Sequence, residues 1–262
     1  TLPDGRLQYW AIPGAYPRAS GQSPNHGANP DFSTGSYGST LLTNTNKGRA
    51  NSLTLSLKKP FSDSWYGSVS ATFNNTTEVN PGNSSQASSG YKYWARVNPN
   101  EEISYKASRN IARSLKASLT WQHAFFGDYK TRVSAFYSGH SGLPYTWIFT
   151  GDVNGDGISY EDPAYIPTLN DPLVQFVDYR GNPASDELVQ QFQNFISNDK
   201  YLGKHRGQIA GLNESHAPWN NSFDMSFSQE IPGFFEGAKG QIRLDIHNFL
   251  NLLNKDWGDV RY

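Results

Sequence analysis

The chain has 262 residues and a formal net charge of -1, with 36% apolar and 17% charged residues and a mean hydropathy of -0.64. Near-neutral charge argues against a general nucleic-acid binder, which carries a basic excess. No run approaches the ~20 apolar residues of a membrane-spanning helix, and the lack of cysteine excludes disulfide scaffolds, thiolate metal sites and cysteine nucleophiles.

The stretch from Gly14 to Thr45 is rich in Gly, Ser, Pro and Asn and reads as a polar loop. Strict alternation then marks strands near 51–61 and 65–75. In the first, Leu53, Leu55 and Leu57 alternate with Thr54, Ser56 and Lys58. In the second, Gly67, Val69, Ala71 and Phe73 alternate with Ser68, Ser70 and Thr72. Pro60-Phe61-Ser62-Asp63 is expected to be the turn between them. A second polar loop runs from Asn74 to Gly90. The run Tyr91-Lys92-Tyr93-Trp94-Ala95-Arg96 interleaves aromatics with cations, as in a stacking surface; loop packing accounts for it more simply.

Strands near 111–125 and 129–140 follow, joined by Phe126-Gly127-Asp128. A long connection spans 141–218. Within it, Leu188, Phe192, Phe195 and Ile196 recur at helical spacing. Ser185 is the expected N-cap, Asp186 and Glu187 suit the helix dipole, and Gly203 is the expected stop. A last pair of strands is expected near 219–230 and 239–250, joined through 231–237.

Each strand presents one apolar and one polar face. That pattern fits an antiparallel sheet with one wet face, and equally a barrel with lipid outside and a polar lumen. Short and long connections alternate, as in outer-membrane barrels. Aromatics cluster at strand ends: Phe61 with Trp65 and Tyr66, Phe125 with Phe126 and Tyr129, and Phe234 with Phe235. Interfacial girdles sit there. The expected fold is therefore all-β. Its pattern of about seven antiparallel strands, long external loops and one short loop helix favours a transmembrane β-barrel over a sheet with one wet face.

Asp152-Val153-Asn154-Gly155-Asp156-Gly157 reproduces the opening of an EF-hand-type calcium loop. Calcium needs several oxygens held close, and alternate positions of a tight turn supply them. The candidate ligands are Asp152, Asn154, Asp156, the Ile158 carbonyl, Glu161 and Asp162. The loop departs from the pattern at its twelfth position, where Glu is replaced by Pro163. An Asx-rich turn capping its own backbone is the alternative. Enzymatic fingerprints are lacking, the six histidines have no metal-ligand spacing, and the Asp224, Asp245 and His247 set reads as a wet strand face. No catalytic role is expected.

The segment Lys239 to Asn251, alternating and ending in His247-Asn248-Phe249-Leu250-Asn251, resembles the penultimate strand of TonB-dependent outer-membrane receptors. Trp219 to Pro232 resembles the strand before it. Gly151 to Gly157, then Tyr165-Ile166-Pro167, Arg206-Gly207 and Pro218-Trp219-Asn220 are similar to the Oar-like branch of that superfamily. The resemblance spans about 111–257 and implies an antiparallel transmembrane β-barrel fragment, the C-terminal part of a larger barrel, with 1–262 as one partial barrel domain. It implies an outer-membrane location, lipid contact, uptake of a scarce nutrient (a peptide, a glycan or a metal chelate) and a TonB-type energy-transducing partner acting on a plug. No plug or signal peptide is expected within the chain. Trp147, Tyr160 and Tyr165 are the expected ligand-facing aromatics of the 141–218 loop. Two other functions fit the same residues: an outer-membrane adhesion or surface-organising protein, and a soluble secreted β-sandwich that binds carbohydrate with calcium bracing a loop.

Overall fold

A computed structural model of the chain describes residues 1–8, 42–98, 100–156, 158–178 and 180–254. Most of the 14–45 stretch, His26, Gly157 and Trp257–Tyr262 lie outside these. The chain divides into two compact units. One is a sheet unit, Ala50–Thr76, Arg109–Pro144 and His216–Tyr262. The other is a loop unit, Thr1–Arg49, Thr77–Ser108 and Tyr145–Ser215.

The sheet is built from six long strands: β1 (Arg49–Ser62), β2 (Trp65–Glu78), β3 (Arg113–Phe126), β4 (Tyr129–His140), β5 (Asn220–Pro232) and β6 (Lys239–Ile246). They lie in chain order as a meander. The β2–β3, β3–β4, β4–β5 and β5–β6 pairs are antiparallel. A two-residue strand, Tyr105–Lys106, adds to the far end of β2. Among the described residues, β1 and β6 are the edges and the sheet does not close on itself.

The β1–β2 turn falls at Asp63-Ser64, sharing only its first residue with the expected Pro60–Asp63 turn. Both residues have positive φ, 51° and 71°, the signature of a type I′ turn, whose twist matches that of the flanking strands. Pro60 stays inside β1 because β1 is an edge strand, where a missing N–H costs no ladder bond. β6 ends at Ile246 rather than near 250, because Asn248 turns to φ 53° and a short helix, Leu250–Leu253, follows.

Register places like with like. Gly67, Val69 and Ala71 lie opposite Leu119, Ala117 and Leu115. Trp121, Leu119 and Ala117 lie opposite Val133, Ala135 and Tyr137. Tyr137, Ala135 and Val133 then meet Phe223, Met225 and Phe227, and Phe227 meets Leu244. One face is thus continuously apolar. The other carries hydroxyl pairs: Thr54 with Thr72 (3.0 Å), Ser68 with Ser118 (2.9 Å) and Thr120 with Ser134 (3.0 Å).

The apolar face has no core beneath it. Every buried Ala, Ile and Leu among the described residues (Ala107, Ile158, Ile166, Ile196, Leu202 and Ala210) belongs to the loop unit. On the sheet, Leu57 is 76% exposed and Ile242 63%.

The loop unit has its own small core. Ile166, Ile196, Leu202 and Ala210 pack together, with Trp147 and Tyr201 against them. The strand pair Tyr165–Ile166 and Gln208–Ile209 brings two of these residues in. The helix Asp186–Asn198 brings Ile196, so it serves as a packing element of this unit. Ser185 caps it, accepting from the Leu188 N–H at 3.3 Å. The helix ends at Asn198, before the expected stop at Gly203. Asp199 turns extended, and its carboxylate takes the Tyr201 and Leu202 N–H groups at 2.8 Å each, starting a separate 3-10 turn, Leu202–Lys204. Two shorter helices, Ala87–Lys92 and Leu250–Leu253, join the one expected.

Candidate functional site

Among the described residues, buried polar side chains are concentrated in the 152–162 loop. Asp152, Asn154, Asp156, Ile158, Glu161 and Asp162 are all buried. The turn wraps around its own side chains. Asp152 Oδ1 accepts from Gly155 N at 2.7 Å, Asn154 Oδ1 from Asp156 N at 2.8 Å, and Asp156 Oδ1 from Ile158 N at 2.9 Å. Asp162 reaches back, its Oδ2 accepting from Val153 N at 2.7 Å.

Two buried arginines oppose the acids. Arg6 donates Nη1 to Asp162 Oδ1 at 3.2 Å, Nη2 to the Pro163 carbonyl at 2.8 Å, and Nε to Asp4 at 2.7 Å. Arg96 pairs with Glu161 through Nη2 at 3.2 Å, and its N–H donates to the Glu161 carbonyl at 3.1 Å. Its guanidinium lies 4.6 Å from the Tyr91 ring centroid and 5.1 Å from that of Trp94. Tyr91, Trp94 and Arg96 of the cation–aromatic run are therefore engaged in loop packing, while Tyr93 is exposed. Sequence reasoning missed both arginines as partners of this loop. The available signal was charge: four buried acids need counter-charge, and Arg6 and Arg96 lie in short aromatic or turn-rich segments.

Burial and the neighbouring Asp156 carboxylate push the Glu161 carboxyl up to about 9, against the pull of Arg96. Asp162 is also raised, by burial first, with the Val153 N–H and Arg6 opposing. The Asp156 carboxyl adds to this upward push on Glu161, so two buried acids interact here.

The set fits a calcium ion in part. The oxygens are of the right kind. Among the described residues, however, no three His, Asp or Glu side chains converge as a metal-holding group. Asp152, Asn154 and Asp156 each direct one oxygen to the turn backbone, and Arg6 and Arg96 engage Asp162 and Glu161. What remains unbalanced is the Asp156–Glu161 contact; Glu161 Oε2 is buried and faces Arg96 Nη2 at 3.2 Å.

The expected ligand-facing aromatics separate. Trp147 is an anchor of the loop core: its Nε1 donates to Ser215 Oγ at 3.0 Å, and its ring meets Phe195 edge-on at 5.6 Å. Tyr165 is half-buried, with its hydroxyl on Asp171 at 2.9 Å. Tyr160 is 69% exposed and sits at φ 66°. On the sheet, Asp224 takes the Asn248 N–H at 2.8 Å, with His247 3.7 Å away, while Asp245 pairs with Arg243 at 2.9 Å. The three are thus engaged in strand-end pairing.

Comparison with protein-family models, with curated proteins and with solved structures finds no match.

Proposed function

We propose that this chain is part of the wall of an outer-membrane β-barrel of the TonB-dependent-receptor type, taking up a scarce nutrient. The ligand is a peptide, glycan or metal chelate met by the loop unit, and energy comes from a TonB-type partner acting on a plug. One observation carries this reading. Strands of 12–14 residues, β1 to β5, display a continuous apolar face that covers no core. A spanning strand needs about 9–11 residues. In water an apolar patch of this kind is a liability; in lipid it is the required exterior, with the hydroxyl face toward a lumen. A soluble sandwich would need a second sheet over that face, and the described residues supply none.

Single-cysteine spin labels test it, since this chain has no cysteine of its own. In the natural full-length protein in liposomes, labels at Leu119 and Leu244 should be accessible to oxygen and shielded from an aqueous nickel complex. Labels at Thr54 and Ser226 should behave oppositely. Equal water access at all four positions sinks the barrel reading and favours the soluble one.

A calcium ion at the 152–162 loop belongs to the same reading, favoured by the unbalanced Asp156–Glu161 contact. Asp152, Asn154, Asp156, Glu161 and Asp162 are the side-chain donors and Ile158 the carbonyl donor. Calorimetric titration with calcium, repeated on Asp156→Asn, tests it; absence of heat up to millimolar ion removes the site.

A further inference from the structure

We infer that a trough on the apolar face of the sheet holds one acyl chain of an anionic diacyl phospholipid, with the lipid phosphate set against Lys59. The inference rests on the barrel-wall reading and adds a specific lipid site to it.

The trough has a volume of about 720 Å³ and lies wholly within the sheet unit. Its origin is a run of small residues on the apolar face: Gly67, Ala117 and Ala135 make a floor, and Trp65, Leu119 and Phe223 make walls. Register explains the relief. Gly67 lies opposite Leu119, which lies opposite Ala135, and Ala117 lies between Val69 and Tyr137. Small and large side chains thus alternate across three strands. The floor at Gly67 is held low by backbone: a Cβ there would meet the Ser118 carbonyl oxygen at 2.7 Å.

The lining selects the occupant. It offers almost no polar atom, so a bound peptide would leave its N–H and C=O groups unsatisfied. An acyl chain has no such groups. The short-turn end of the trough carries the charge. Lys59 Nζ lies 4.1 Å from the Trp65 ring centroid and donates to Ser62 Oγ at 2.6 Å and to the carbonyls of Ser62 at 3.0 Å, Trp65 at 3.3 Å and Pro60 at 3.4 Å. Those acceptors are neutral, and Lys59 forms no ion pair with a described residue. Lys239, at another short turn, differs: it also lies over a ring, that of Tyr129, but is paired with Glu230 at 3.5 Å. Lys59 is therefore an uncompensated cation at the mouth of an apolar groove. A phosphate joined to a hydrocarbon chain complements both. An aromatic at the same point suits the interfacial depth.

The test is lipid retention by native mass spectrometry. The natural full-length protein is purified in detergent, delipidated, and offered phosphatidylglycerol or phosphatidylcholine with identical chains. Phosphatidylglycerol should be retained about fivefold better, the effect of one near-surface lysine. Lys59→Gln should abolish the preference while leaving the protein in the membrane fraction. Ala135→Phe, which fills the floor, should lower retention of both lipids, and the milder Ala117→Leu serves if that variant fails to assemble. Millimolar glycerol phosphate should not displace the lipid; displacement would mean a headgroup site without the acyl trough and would overturn the inference. Equal retention of the two lipids by the wild type, or a preference that survives Lys59→Gln, would overturn it as well. A wild-type protein recovered only in the soluble fraction would instead defeat the barrel reading.

Discussion

The carboxyl groups of Glu161 and Asp156 meet inside the loop unit, where Glu161 is 1% exposed and Asp156 5%. Two acids in contact away from water cannot both ionise cheaply. In metal-free protein the conflict is resolved by keeping Glu161 protonated, and that has a sign. Its carboxyl ordinarily titrates near 4.5 and is pushed up to about 9 in the fold. Between those values the folded state binds the extra proton, so stability falls as pH rises through this window and levels off above it. Asp162, also raised, adds in the same direction. With a chelator present, amide protection of the loop unit should decline from pH 5 to pH 8.5. Glu161→Gln should flatten that slope; a wild-type slope that is flat or rising contradicts the arrangement.

Arg6 should matter more than its place near the start of the chain implies. It is 1% exposed and pairs with Asp162, which is 0% exposed. Removing one partner of a buried pair costs about 3–5 kcal/mol, so Arg6→Met should loosen the loop unit by that order. Asp4, on the rim of the same arginine with 13% side-chain exposure, should cost about 1 kcal/mol or less as Asp4→Asn. Hydrogen exchange at residues 152–163 reads both.

Tyr160 holds φ 66° with no glycine to ease it, between the loop turn and the buried pair Glu161-Asp162. A left-handed residue with a side chain costs on the order of 1 kcal/mol. Tyr160→Gly should therefore be neutral or slightly stabilising in melts, and Tyr160→Val destabilising. Because the glycine variant keeps the fold, loss of ligand binding in it would mark the tyrosine ring itself as a contact.

The long strands were legible because their period of two survives any tertiary detail: Leu53 to Leu57 and Leu115 to Trp121 announce one face each. The helix was legible from Ser185 and the spacing of Leu188, Phe192 and Ile196. Its end was not, because Asp199, with no glycine, stops it through its own carboxylate. The Asp63-Ser64 turn was hidden by Pro60, a residue that breaks central strands but not edge strands. The candidate loop was recognisable from Asp152, Asn154 and Asp156. Its counter-ions were not, since Arg6 and Arg96 come from remote segments and local patterning carries no record of long-range pairing. The core of Ile166, Ile196, Leu202 and Ala210 was invisible for the same reason.

A charge on the apolar face should be costly where the same charge on the hydroxyl face is not. Under the proposed barrel-wall reading, Leu119→Arg should destabilise the protein by about 2–4 kcal/mol, the cost of a cation near the bilayer midplane. Ser226→Arg places the cation opposite Asp245 and should assemble normally. Heat-modifiable migration in gels and urea unfolding in lipid distinguish the two.

Ser185→Ala removes the hydroxyl that takes the Leu188 N–H. The expected loss is about 1 kcal/mol, seen as faster exchange in the first turn of Asp186–Asn198 with the sheet unchanged.

The pairing of Arg6 with Asp162 and of Arg96 with Glu161 spans 156 and 65 positions of chain. Contacts of such separation form late, because the intervening chain must surrender its freedom before either ion pair can repay it. The longer closure costs only about 0.8 kcal/mol more than the shorter one, so either can come first. Until both are made, the acids at 152–162 remain hydrated and the segment is open to proteases. Maturation of this protein should therefore pass through a stage in which the strands resist digestion and the 152–162 loop does not, and the moment the two arginines lock it would be visible as the disappearance of a single cleavage site.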